Sequence, residues 1–142
     1  MGSAALVLGV CLQLAASNSA HGIFVPTEQF TLAWDHSIEK IRWEEDYAVV
    51  LGSSGQPVLQ AQQARIKGSG SGMEPPADAV YREGAFYYTP VMHSPELLRL
   101  TRSEFVPDYQ WCDAQGCRPL SAIIPRDGGV TMLRPCARPR AP

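Results

Sequence analysis

Two ionisable residues, His36 and Glu45, are the positions in this chain best suited to chemistry. They lie in the stretch 30–51, FTLAWDHSIEKIRWEEDYAVVL. Phe30, Leu32, Trp34, His36 and Ile38 share one parity, and Ile41, Trp43, Glu45, Tyr47, Val49 and Leu51 share the other. Each run is apolar except for one ionisable side chain, and strands alternate faces with a period of two. A histidine changes charge near neutral pH and needs a carboxylate or carbonyl to set its tautomer. The pair therefore reads as an acid, a base or a polar binding centre. The competing reading is a core histidine satisfied by Glu45 or by backbone. Ser37 has the opposite parity, so a Ser–His nucleophile is not formed here, and no G-x-S-x-G motif occurs.

A β-hairpin must position these groups. With Glu39 and Lys40 as the turn, Ile38 faces Ile41, His36 faces Trp43 and Trp34 faces Glu45. His36 and Glu45 are then diagonal neighbours within side-chain reach. Arg42, Glu44 and Asp46 alternate outward with the turn residues as a solvated, charge-paired face. Downstream, 52–57 (GSSGQP) is a turn, and 58–67 (VLQAQQARIK) leans to strand in its second half. Gly68, Gly70, Gly72 and Met73 form a candidate loop for a small anion or a peptide, with Arg65 and Lys67 upstream as positive charge. The prolines Pro75 and Pro76 behind it exclude a nucleotide-type helix start. An aromatic run, AFYYTP, suits a strand, and Tyr81, Phe86, Tyr87, Tyr88 and Tyr109 read as sheet packing or as a binding face. Segment 94–103 fits either a capped helix start or a strand. The segments 107–112 and 117–124 form a second hairpin around DAQG, and 130–134 is the last strand. Short strands at this spacing predict an all-β antiparallel sandwich or small barrel of about eight strands. One domain over 1–136 and a disordered tail over 137–142 are expected.

With 142 residues and a net charge of -2, the chain has no basic stripe, so nucleic acid, DNA included, is not favoured as a partner. No run approaches the roughly 18 apolar residues that a membrane span requires. The segment 4–16, AALVLGVCLQLAA, reads either as a first strand or as the core of a cleavable signal within 1–20. No lysine or arginine precedes Lys40, which argues against the signal. Cys112 and Cys117 flank DAQG and would face each other across a hairpin, leaving Cys11 for Cys136. That pairing is one of three connectivities. Four reduced thiols remain the alternative, and C-x4-C is a poor zinc knuckle. His21 and His93 have no ligand spacing, and no metal set or cofactor loop is legible.

The segments WDHSIEK, WEEDY, ARIKGSGSGMEPP, LTRSEF, DYQWC and the closing cysteine near VTMLRPC resemble the domain-of-unknown-function family 1850. The resemblance runs from about Phe30 to Cys136. Its most specific parts are the HS…E pair and the G-x-G-x-G-M loop, so that His36, Ser37, Glu45, Gly68, Gly70, Gly72 and Met73 are the positions to watch. The family has no assigned activity. The resemblance implies a small accessory protein of TRAP-type solute uptake, of the kind with a TAXI-like binding protein. The transporter permease or its binding protein would be the partner, and the location periplasmic or membrane-associated. A cytoplasmic location stays open. The resemblance also supports the strand reading of Leu6 to Ala15. Two function classes result. One is a non-enzymatic accessory or binding module. The other is a small hydrolase or lyase with His36 and Glu45 as its base.

Overall fold

Alternating apolar residues, broken by glycine, proline and Asx turns, give β-strands wherever one side of the chain can be buried. The computed structural model describes residues 5–17, 22–36, 41–68 and 75–140, without the side chain of His36. The described residues form eleven strands: β1 (Leu6–Leu14), β2 (Ile23–Pro26), β3 (Gln29–His36), β4 (Ile41–Leu51), β5 (Pro57–Lys67), β6 (Val80–Arg82), β7 (Ala85–Tyr88), β8 (Leu98–Thr101), β9 (Gln110–Asp113), β10 (Gly116–Pro119) and β11 (Val130–Pro139). Among the described residues the only helical turn is a short 3₁₀ segment, Leu120–Ala122.

The strands make two antiparallel sheets packed as a sandwich, with no closed barrel. One has four strands in the order β2-β1-β11-β8, the other seven in the order β10-β9-β3-β4-β5-β7-β6. Val10, Leu12, Leu100 and Leu133 of the small sheet meet Phe30, Leu32, Tyr47, Val49, Leu59 and Trp111 of the large one. Trp111 is fully buried, and the Phe30 ring stacks on it at 4.5 Å and on Tyr47 at 5.3 Å. Such rings bury large apolar areas and add about 0.5–1.5 kcal/mol per pair beyond burial.

The strand count exceeds the expected eight because the sequence showed neither β2 nor the turn inside the aromatic run. Glu83 and Gly84, both at positive φ, split the aromatic run into the hairpin β6–β7. The segment 94–103 resolves as β8, because Leu98 and Leu100 alternate into the core beside β11. The supposed tail is a correction. Residues 137–139 pair with Leu6–Leu8, so β11 runs to Pro139 and β1 is zipped over nine positions.

Both expected disulfides are formed, Cys11–Cys136 and Cys112–Cys117. Cys112 and Cys117 are direct cross-strand partners, with a two-residue turn in place of DAQG. Cys11 and Cys136 lie diagonally on one face of β1 and β11, because Cys11 pairs with Arg134 and Gly9 with Cys136. Two disulfides point to an oxidising, extracytoplasmic environment. No helix among the described residues is long and apolar enough to cross a membrane.

Candidate functional site

Hairpin β3–β4 forms with the expected faces but with a register two residues from the expected one. His36 pairs with Ile41, Trp34 with Trp43, and Leu32 with Glu45. This register does not centre the turn on Glu39–Lys40, and residues 37–40 themselves lie outside the described residues. This correction separates the proposed pair. Glu45 sits opposite Leu32, four residues along the strand from His36, or about 13 Å. The indoles explain the choice. The observed register stacks Trp34 on Trp43 nearly parallel, with ring centroids 6.1 Å apart, whereas the expected one set Trp34 against a carboxylate.

Arg65 is also not part of a centre with Glu45. On β5 it pairs with Glu44, and Ala64 pairs with Glu45, so the guanidinium is on the outer face and the Glu45 carboxyl on the inner one. Ser37, Gly70, Gly72 and Met73 lie outside the described residues. Gly68 ends β5 at positive φ. The positive charge expected to serve the glycine loop is engaged elsewhere. Arg65 binds Glu44 and Asp46, and the Lys67 amine is 3.2 Å from Glu44.

On the inner face, Glu45 is the half-buried carboxyl of an aromatic neighbourhood. Trp43 and Tyr47 flank it on β4, two residues to either side. Ala64, beside it on β5, carries only a methyl, and Tyr88 follows on β7 as the partner of Ala64. Tyr109 approaches from the segment before β9 and packs on Trp34 at 5.6 Å. The Tyr47 hydroxyl donates to Glu45 Oε1 at 2.8 Å. Burial raises the Glu45 pKa, and the Tyr47 hydrogen bond only partly opposes it. Burial and the Glu45 charge together push the hydroxyls of Tyr47, Tyr88 and Tyr109 up. No cation lies within ion-pair distance of Glu45 among the described residues. The next row along the sheet continues the aromatic end. It runs Trp34, Trp43, Ile66, Phe86 and Tyr81, with Tyr81 edge-on to Phe86 at 4.9 Å.

The outer face is a charge network, as its alternation predicts, but more deeply buried than a solvated face. Glu44, only 8% exposed, accepts from Arg42 Nε at 2.8 Å and from Arg65 Nε at 2.6 Å. Arg65 also binds Asp46 through two nitrogens at 2.7 and 3.1 Å, and the Thr31 hydroxyl donates to Asp46 at 2.6 Å. Burial would raise the Glu44 carboxyl. The hydrogen bonds from Arg42, Arg65 and Lys67 outweigh that and bring it down to about 2. An open groove of about 940 Å³ runs over this face, and Thr31, Asp46 and Arg65 are among its lining residues. Thr31 and Arg65 both bind Asp46, so the charge on this floor is neutralised by its own ion pair, whereas Glu45 has a hydroxyl partner but no described cation.

One structural centre escaped sequence reasoning. Arg102, 1% exposed, binds both oxygens of Asp108 at 2.9 and 2.8 Å, and also the Thr131 hydroxyl and the Ile124 carbonyl. Burial raises the Asp108 pKa, but the guanidinium bonds more than offset this and lower it. Arg102 shares the parity of Leu98 and Leu100, which suits an inward position on a strand, but nothing in the sequence names Asp108 as its partner. The proximity of Tyr47 to Glu45 was readable from their spacing of two. That of Tyr88 and Tyr109 was not.

A family described as a domain of unknown function (DUF1850) matches residues 30–120. The chain belongs to this family. No curated protein and no solved structure matches the chain. The DUF1850 match covers every strand of the seven-stranded sheet except Gln29 at the start of β3, but only β8 of the four-stranded one. Both the Glu45 neighbourhood and the Glu44 network therefore belong to the family's own segment. No group of three or more metal-ligating side chains occurs among the described residues.

Proposed function

We propose that this DUF1850 protein is an extracytoplasmic, periplasmic binding module that takes a cationic, ammonium-bearing group at the Glu45 end of its large sheet. The observation that carries this reading is the half-buried Glu45 carboxyl, which has aromatic rings around it and no described cation beside it. Rings attract a cation through their negative faces, and a carboxylate in a low-dielectric setting favours a positive partner strongly. An ammonium ligand supplies the charge that Glu45 lacks. Tyr47 fixes the carboxyl by its 2.8 Å hydrogen bond. We place the module as an accessory of TRAP-type uptake, acting with the permease or its binding protein. That part rests on the family resemblance alone, and no side-chain geometry carries it.

The test is a tryptophan-fluorescence titration with choline and with its neutral isostere 3,3-dimethylbutanol. Choline should give a saturable change that the neutral compound does not, and Glu45→Gln should abolish it. Binding should weaken as pH falls through the raised Glu45 pKa, because the neutral acid no longer attracts the cation. Equal responses to both compounds, or an unchanged response in Glu45→Gln, would overturn the site. For the accessory role, tagged protein purified from its host should bring down a TRAP permease or binding protein. Its recovery alone would discard that role.

A further inference from the structure

The two outer faces of the sandwich handle charge in opposite ways. On the large sheet, Arg42, Arg65 and Lys67 are all in ion pairs with carboxylates. The small sheet has no carboxylate to offer. Its four strands, LVLGVCLQL, IFVP, LRLT and VTMLRPCARP, contain Arg99, Arg134 and Arg138 and not one Asp or Glu.

The register puts all three arginines on the outer side. Leu12, Leu100 and Leu133 are buried in the core, and Arg99, Arg134 and Arg138 have the opposite parity on their strands. One row across the sheet reads Arg99, Met132, Gln13, a second reads Arg134, Cys11, Phe24, and a third pairs Arg138 with Val7. All three arginines are exposed, and none is in an ion pair among the described residues. Arg138 lies 5.3 Å over the Phe24 ring. That ring covers Gly9, where even a methyl group would come within 2.9 Å of it and would also strike the Val25 carbonyl. Apolar Phe24, Met132 and Val7 thus interleave on one outer face with guanidinium groups that have no ion pair among the described residues.

We propose that this outer face of the four-stranded sheet docks on the anionic headgroups of a phospholipid membrane, with the guanidinium groups on phosphate and Phe24 and Met132 at the headgroup boundary. The three arginines occupy three different rows, with Arg134 and Arg138 four residues apart on β11, so the charge is distributed along the face as an extended anionic surface requires. A basic face with apolar residues between the charges is the arrangement that adsorbs to an anionic interface. The whole chain carries -2, so any attraction to an anionic bilayer must come from a local face. This inference is independent of the Glu45 reading.

The test is co-sedimentation of the intact, disulfide-bonded protein with phosphatidylcholine vesicles and with vesicles containing 30% phosphatidylglycerol. Binding is expected to the anionic vesicles alone and to be lost at high salt. Arg134→Gln and Arg138→Gln should each weaken it about fivefold, and together about 25-fold. Arg82→Gln, the same charge change on the far edge of the large sheet, should leave it unchanged. Circular dichroism confirms the fold of each variant. No preference for anionic vesicles overturns the proposal, as does an equal loss in Arg82→Gln. Binding to soluble polyglutamate but not to vesicles overturns it in favour of an acidic protein partner.

Discussion

Glu44→Gln removes one carboxylate from under three cations, and its consequence can be worked out from the geometry. Glu44 accepts from Arg42, Arg65 and Lys67 while its side chain is 11% exposed, so solvent screens these contacts little. Its pKa falls from the ordinary 4.5 to about 2. That gap corresponds to about 3 kcal/mol of stability at neutral pH. The native state binds the proton less tightly than the unfolded chain. The contribution is therefore complete above pH 4.5 and is lost as pH falls through the folded value near 2. Urea unfolding at a series of pH values measures it. Wild type should exceed Glu44→Gln by about 3 kcal/mol at pH 7, and the difference should close between about pH 5 and pH 2. Adding about 1 M salt should leave most of the difference in place, because the group is shielded from water. Asp35→Asn is the control. Its 3.5 Å contact to Arg42 is exposed, and such pairs contribute about 0–1 kcal/mol. A difference that stays constant from pH 7 to pH 2, or a neutral-pH loss no larger than that of Asp35→Asn, would refute the reasoning.

The two disulfides should differ in weight. Cys11–Cys136 spans 125 residues and Cys112–Cys117 spans 5, so loop-closure entropy predicts losses of about 5 and about 2 kcal/mol for the paired alanine variants. Equal shifts in denaturant midpoint would contradict this. Arg102→Met should cost about 3–5 kcal/mol by leaving Asp108 without its partner, and Arg102→Met/Asp108→Leu should recover much of it in the same assay. The Glu45 pKa is raised in the folded state, so Glu45 lowers stability progressively as pH rises above the ordinary carboxylate value. Glu45→Gln should gain stability relative to wild type over that window, and a melting-temperature difference flat in pH would count against the burial of this carboxyl.

Much of the site was already written in the alternation of 30–51. Inner and outer faces follow from parity, so Glu45 among aromatics and Arg42, Glu44 and Asp46 outward were legible. The parity break in β5 came only with the structure. Leu59 and Ala61 face inward, and after the bulge at Gln62 so do Ala64 and Ile66. The hairpin register was not legible. A slip of two residues keeps every side chain on its face, so the hydrophobic pattern does not distinguish the two pairings. Packing of Trp34 on Trp43 decided it, and that decision took His36 away from Glu45. Arg65 likewise reads as available positive charge until β4 and β5 pair and bring two carboxylates to it.

What the amino-acid order determined by itself was therefore local and periodic: an all-β chain, its face assignments, a cross-strand pair at Cys112 and Cys117, and a carboxyl pointing inward at position 45. The tertiary structure alone decided which distant segments supply that carboxyl with Tyr88 and Tyr109. It alone buried Arg102 with Asp108, and it gathered Arg99, Arg134 and Arg138 onto a face without acids. The reason is physical. Periodicity records which side of a strand meets water, but the identity of the neighbouring strand is set by packing summed over the whole sandwich.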